Sequence, residues 1–170
     1  VIPCREWREL YAALDCGAVA AIHPFYTAAV REFEDAGKPI IGSAPVGVEG
    51  TNSWIDSVGD TFNIAKKIIG DAKKKILPQI QKSLDDKKIN NKITVSGYEG
   101  SELIVARTLI EAGAEVPYVG TACPKTKWST EDKDWLESKG VFVKFRASLE
   151  DDISAVTVSY THLTLPTKCS

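Results

Sequence analysis

The stretch that most constrains the fold runs from Ile93 to Phe145. Residues 93–96 (ITVS) read as a strand, 97–100 (GYEG) as a turn, and 101–112 as a helix stopped by Gly113. Residues 116–121 (VPYVGT) return as a strand, Trp128-Ser129-Thr130 opens a helix through Ser138, and 141–145 form a third strand. Strand, helix, strand, helix, strand at this spacing predicts parallel βαβ units with right-handed crossovers. The fold class is therefore α/β.

The first half carries the same alternation less clearly. Residues 17–22 (GAVAAI) read as a buried strand ending at His23-Pro24, and 26–36 as a helix stopped by Gly37. Residues 38–44 (KPIIGSA) read as a second strand, followed by a Gly-rich loop over 45–50. Thr51 or Asn52 is then expected to cap a helix carrying Trp54, Ile55, Val58 and Phe62. Residues 65–84 set Ile68, Ile69, Ile76, Leu77, Ile80 and Leu84 on one face, with Pro78 expected to bend or divide the helix. Asn90-Asn91 marks a boundary between two halves. The predicted organisation is part of a Rossmann-like lobe over 1–64, a helical connection over 65–92 and a second Rossmann-like lobe over 93–157.

Residues 158–170 break the pattern. Val158 to Thr167 (VSYTHLTLPT) shows no helical period, and its back-translation reproduces the end of a transposase-type sequencing adaptor. The segment is read as an artefact and excluded from functional reasoning, as vector scars are. His162 and Cys169 go with it. The chain starts at Val1 and has no methionine, so it reads as an internal piece of a longer protein.

Composition removes several function classes. Among 170 residues, 21 basic and 23 acidic side chains leave a net charge of −2, which offers no basic face for nucleic acid. No apolar run approaches the roughly 18 residues of a transmembrane helix, and no signal-peptide core is present, so a cytoplasmic location is expected. Cys4, Cys16, Cys123 and Cys169 match no CxxC or zinc spacing and read as free thiols, with one of them open to ligating a cluster shared with another chain.

Two glycine loops stand where strands feed helices, Gly97-Tyr98-Glu99-Gly100-Ser101 and Gly47-Val48-Glu49-Gly50-Thr51. Such loops can hold an anion on backbone N–H groups. The first is GxxG and not GxGxxG, and the second lacks the Gly-Lys-Ser/Thr of a P-loop, so both read as structural turns, with Ser101 capping its helix. Without the tail, His23 is the one histidine, placed at a strand end where it can donate a proton, hold a polar ligand group or simply bond nearby backbone. Cys123 also stands at a strand end, but no second histidine is present to serve as its base. Trp54 and Trp135 read as core, and the lysines of 66–88, interleaved with acids, as a solvated face.

Local strings go further than these patterns. His23-Pro24-Phe25, the run Ile41-Gly42-Ser43-Ala44-Pro45-Val46-Gly47-Val48-Glu49-Gly50-Thr51 and the following Trp54 resemble the nitrogenase component 1-like reductases of chlorophyll synthesis. Arg5-Glu6-Trp7-Arg8-Glu9-Leu10-Tyr11, Ser96 to Leu103 (SGYEGSEL) and Tyr118 to Pro124 (YVGTACP) are similar to the Y-subunit branch of the chlorophyllide a reductases. The related protochlorophyllide reductase N subunits share His-Pro-Phe and Gly-x-x-Gly-Thr-x-x-Trp but fit less well between Ser96 and Pro124. The resemblance spans Val1 to about Ala155.

It implies one half of a heteromeric catalytic component built of Rossmann-like lobes. Partners would be a Z-type subunit and an ATP-dependent iron–sulfur reductase subunit X. The substrate would be chlorophyllide a, reduced at the C7=C8 bond of ring B. A 4Fe–4S cluster near the subunit interface would have its ligands outside this chain, so no metal ligand is assigned here and no catalytic residue is named. His23, Phe25, Ser43 and Gly47 are the substrate-pocket candidates, on the expectation that two parallel strands bring them to one crevice. A protochlorophyllide reductase N-like subunit, a non-catalytic cofactor scaffold and a two-lobed sugar-nucleotide transferase are the competing readings.

Overall fold

The computed structural model describes residues 6–22 and 27–160. Helix α1 (Trp7–Ala12) and a 3-10 turn (Ala13–Asp15) lead into β1 (Val19–Ala20), followed by α2 (Thr27–Asp35) and β2 (Ile40–Ile41). Strands β1 and β2 pair in parallel, Val19 opposite Ile40 and Ala20 opposite Ile41. Helices α3 (Gly47–Thr61) and α4 (Lys66–Asp85) follow in the chain and pack on each other, and a second sheet comes after them. There β3 (Val95–Gly97), α5 (Glu102–Glu111), β4 (Tyr118–Thr121), α6 (Thr130–Ser138) and β5 (Phe142–Phe145) alternate, and α7 (Leu149–Tyr160) follows. The three strands are parallel and lie in the order β3-β4-β5. The α/β class and the parallel units expected over 93–145 are those observed.

Register explains the core. Val95, Val119 and Val143 stand side by side across the sheet and join Leu103, Ala106 and Leu136 of α5 and α6 in one apolar cluster. The next row, Ser96, Gly120 and Lys144, belongs to the opposite face because side chains alternate along a strand. Helix α7 closes on that face with charge: Asp152 accepts hydrogen bonds from the Ser96 hydroxyl and from Tyr118 Oη (2.7 Å), and Lys144 pairs with Asp151 (2.6 Å).

Four local expectations need correcting. Helix α3 starts at Gly47 and not after Thr51, because its first amides are capped from afar. The Glu111 carboxylate of α5 accepts the Val48 N–H and the Glu49 N–H (3.2 Å). Helix α4 runs unbroken through Pro78, anchored on α3 by Ile69 against Gly59 and by a Lys73–Asp56 ion pair (2.6 Å). Ser101 makes no capping bond; Glu102 instead takes the Glu99 N–H (2.9 Å). Residues 158–160, expected outside any periodic structure, lie in α7. That helix begins with a reciprocal cap, in which Asp151 Oδ2 accepts the Ser148 N–H (2.9 Å) and Ser148 Oγ accepts the Asp151 N–H (3.2 Å). Leu163, Leu165 and the rest of the tail lie outside the described residues.

Gly47 has a backbone φ of +65°, and a Cβ there would overlap the Glu111 carboxyl group. The carboxylate could swing away only by releasing the two amides it caps. Gly47→Ala is therefore expected to cost about 2 kcal/mol, the left-handed penalty of roughly 1–2 kcal/mol plus part of a lost cap. Chemical denaturation of the two proteins measures it, and a change within error would contradict the capping account.

Asp151 supplies a pH dependence. The Lys144 ammonium and then the Ser148 amide and hydroxyl pull its carboxyl from the ordinary 3.8 down to about 2. A depressed carboxyl contributes stability that is fully present above its unfolded value and is lost as pH falls through the folded one. The stability difference between the wild-type chain and Asp151→Asn should thus be constant above about pH 5 and shrink toward zero near pH 2. A difference that persists unchanged at pH 2 would place its origin elsewhere.

Candidate functional site

The C-terminal ends of both sheets open on one crevice, the place where open parallel sheets hold ligands. Ala21 and Ile22 follow β1, Thr121 and Cys123 end or follow β4, and Phe145 ends β5; all of them line it. Val30, Leu103 and Trp128 add apolar wall, and Asp132 brings a carboxylate. The enclosed space is small, about 30 Å³, and reaches about 500 Å³ only when the open mouth is counted.

Asp132 belongs to a buried polar junction between the two halves. Its Oδ1 accepts from the Ser43 hydroxyl (2.9 Å), which comes from the turn after β2, and from Arg107 Nη1 of α5. Arg107 is 2% exposed, and its guanidinium lies over the Trp135 ring at 4.7 Å. Ser43 holds its hydroxyl there with a backbone φ of 62°, a left-handed conformation that a non-glycine residue adopts at a cost. Trp135 Nε1 in turn donates to Glu49 (2.6 Å), and Lys139 pairs with the same carboxylate (3.2 Å). The indole bond is the main cause that draws the Glu49 carboxyl below its usual range.

Both glycine loops have chain carboxylates on their amides. Glu102 serves the Glu99 amide, and its other oxygen accepts the Thr121 hydroxyl (2.9 Å); Glu111 serves Val48 and Glu49. An anionic ligand at either loop would have to displace a carboxylate of the chain, which supports the structural reading of both.

The four pocket candidates are placed differently from one another. His23 and Phe25 lie outside the described residues. Ser43 is buried behind the crevice wall and reaches it through Asp132. Gly47 borders a separate groove between α4 and α5, beside Ile80, Leu84 and Thr108. Trp135 and Trp54 are half-buried. Arg107 and Asp132 escaped the sequence reading. Arg107 left a trace, the one charged residue in the largely apolar run LIVARTLI, whereas Asp132 sits in the polar segment TEDKDW and left none.

Among the described residues no group of three or more His, Cys, Asp or Glu side chains is placed to hold a metal ion. Cys16 and Cys123 are free thiols on separate elements, and burial pushes the Cys123 thiol up, away from the thiolate that iron requires. These residues do not fit an iron–sulfur cluster. Also among the described residues, no helix is long and apolar enough to cross a membrane.

Comparison with known proteins agrees with this fold. The family model for nitrogenase component 1 type oxidoreductases matches residues 1–164. The "Chlorophyllide reductase 52.5 kDa chain" of Cereibacter sphaeroides is 60% identical over 156 residues, 92% of this chain and 31% of that protein. Its Rhodobacter capsulatus counterpart is 60% identical over 155 residues, 91% and 31% of the two chains. A "Light-independent protochlorophyllide reductase subunit N" of Prochlorococcus marinus is 28% identical over 124 residues, 70% and 30% of the two. The chain thus spans about a third of the length of these relatives. Among solved structures, "Nitrogenase Cp1 at pH 6.5" superimposes with a TM-score of 0.55 at 16% identity, covering 86% of this chain and 33% of its own, a likeness of fold. With the family model matched along nearly its whole length, the chain belongs to the nitrogenase component 1 type oxidoreductases.

Proposed function

We propose that this chain is a segment of the catalytic component of a chlorophyllide a reductase, of the Y-subunit type, which reduces the C7=C8 bond of ring B in bacteriochlorophyll synthesis. The observation that carries the reading is the 60% identity to two chlorophyllide reductase chains, against 28% to a protochlorophyllide reductase N subunit. In the assembled enzyme a Z-type subunit completes the catalytic component. An ATP-dependent iron–sulfur reductase subunit X, fed by ferredoxin, delivers the electrons in the cytoplasm. The 4Fe–4S cluster is held by ligands outside this chain. One wall of the pigment pocket is assigned to the crevice at the strand ends, with His23 and Phe25 as candidate residues there and Ser43 reaching it through Asp132; Gly47, which borders the separate groove between α4 and α5, is not part of that wall.

The test uses the full-length parent assembled with Z- and X-type partners, supplied with ATP and a reductant. It is expected to reduce chlorophyllide a and leave protochlorophyllide untouched. Reduction of protochlorophyllide alone would move the chain to the N-subunit side of the family, and turnover of neither pigment would favour a scaffold. Residues 1–155 alone, reconstituted with iron and sulfide, are expected to give no stoichiometric four-iron signal in electron paramagnetic resonance and no pigment reduction, since such a cluster takes four thiolate-type ligands. A full four-iron signal would return Cys4, Cys16 and Cys123 to the ligand set.

A further inference from the structure

Helix α4 is amphipathic but has too little to pack against. None of its 20 residues is buried, although Ile69, Ile76, Leu77, Ile80 and Leu84 recur along one face. Its first half is held on α3, by Ile69 against Gly59 and by Lys73 on Asp56 (2.6 Å). Its second half leaves a groove of about 480 Å³ against α5, lined by Ile80, Leu84, Ile89 and Ala112. An apolar groove between two helices is the seat that a further amphipathic helix takes, with anchors at i, i+3 and i+4.

Charge narrows the occupant. Lys87 lines the groove, and Lys82 and Lys88 are exposed beside it in sequence. Residues 66–88 hold eight lysines against three aspartates, in a chain whose net charge is −2. Among the described residues, Lys73 alone of the eight has a carboxylate partner. Cations gathered on one element repel one another, and acidic side chains across an interface are their complement.

Length narrows its source; this step rests on the reading of the chain as a segment of a longer parent. The chlorophyllide reductase relatives at 60% identity are matched over 31% of their length, which leaves about two thirds of such a protein outside the match. A free-standing interface buries about 800 Å² per partner, more than a groove for a few side chains offers. A tethered segment docks at high effective concentration and needs less.

We propose that the groove between α4 and α5 seats an acidic amphipathic helix from the remainder of the parent chain, its apolar face on Ile80 and Leu84 and its carboxylates on the lysines of residues 82–88.

The experiment is maleimide labelling of the full-length parent without its partner subunits, with the wild-type protein as background. Ser83→Cys reports on the groove, since the Ser83 hydroxyl bonds only its own helix, at Gln79 O (3.0 Å). Lys75→Cys, on the opposite side of the helix from Leu84, is the exposed control. The groove cysteine is expected to react about tenfold more slowly or less, as a site opened only by local unfolding does. Adding Lys87→Glu and Lys88→Glu should bring it close to the control rate. Zero-length carbodiimide coupling should join Lys87 or Lys88 of the unaltered parent to an Asp or Glu of the same polypeptide outside the segment matched here. Equal rates at the two cysteines, protection that arises only when partner subunits are added, couplings between two copies, or protection indifferent to the charge reversal would each overturn the proposal. None of these readouts depends on which pigment the parent reduces, so a failure of the functional reading and a failure of this one are told apart.

Discussion

Arg107→Ala is expected to lower the unfolding free energy of the chain by about 3–5 kcal/mol, the usual cost of removing one partner from a buried ion pair. The guanidinium is 2% exposed and its partner Asp132 is 9% exposed at the side chain, so neither charge has water to fall back on. Truncation leaves Asp132 with the Ser43 hydroxyl alone and removes one of the two cations over the Trp135 ring, Lys139 being the other. It also empties a volume at the junction where α3, α5 and α6 meet. One feature limits the pair's own worth: Arg107 Nε is buried without a hydrogen-bond partner. The paired replacement Arg107→Met with Asp132→Leu is therefore expected to cost much less than either single truncation. Denaturant titration of the four proteins of this cycle measures the coupling. Additive losses would mean that the two charges do not act as a pair.

Gly120→Ala is expected to be nearly as damaging, at about 2–4 kcal/mol, although it adds only a methyl group. A Cβ at this position would overlap Asp152 Oδ1 and stand 2.7 Å from Tyr118 Oη. The strand cannot retreat, since Gly120 pairs with Ser96 on one side and Lys144 on the other. Overpacking a rigid site costs about 1–3 kcal/mol, and losing a hydrogen bond to a charged group adds about 1.5–3. Asp152 can yield only by giving up Ser96 and Tyr118, whose hydroxyl is already held well above its ordinary pKa by burial and by that carboxylate. In an Asp152→Ala background the added methyl should cost less, with only the Tyr118 contact left to relieve and a coupling of the order of 2 kcal/mol. The same loss in both backgrounds would show that the clash lies elsewhere.

What the sequence disclosed follows from the range of the forces involved. The alternation over 93–145 is written locally, in runs such as ITVS and VPYVGT bounded by Gly97, Gly113 and Gly140, and the structure has the same strands and helices. The start of α3 is set by Glu111, more than 60 residues away, and no local pattern announces it. Helix α7 carries a local signal, the Ser148-x-x-Asp151 capping pair followed by Asp152, that is legible in the sequence. Pro78 does not divide its helix: α4 is one continuous element, tied to α3 by Ile69 and Lys73 before the proline is reached.

The candidate site shows the same division. That two parallel strand ends would make a crevice could be read from the strand order. Which residues reach it depended on tertiary geometry. Ser43 and Gly47 are four residues apart, but the chain turns into α3 between them, so one meets Asp132 and the other meets Glu111. Asp132 is the crevice carboxylate, yet in sequence it is one acid among several in TEDKDWLES. Only the pairing with Arg107 from the neighbouring helix distinguishes it.

The most direct test of the central claim is an exchange of segments. The matching part of the 52.5 kDa chlorophyllide reductase chain of Cereibacter sphaeroides, 156 aligned residues at 60% identity, is replaced by this chain. The chimera is assembled with the native partner proteins and assayed with chlorophyllide a, ATP and a reductant. If this chain is the corresponding segment of a chlorophyllide a reductase, the chimera reduces the C7=C8 bond and its product matches that of the native enzyme. A chimera that assembles with the same partners but leaves chlorophyllide a unreduced would contradict the account.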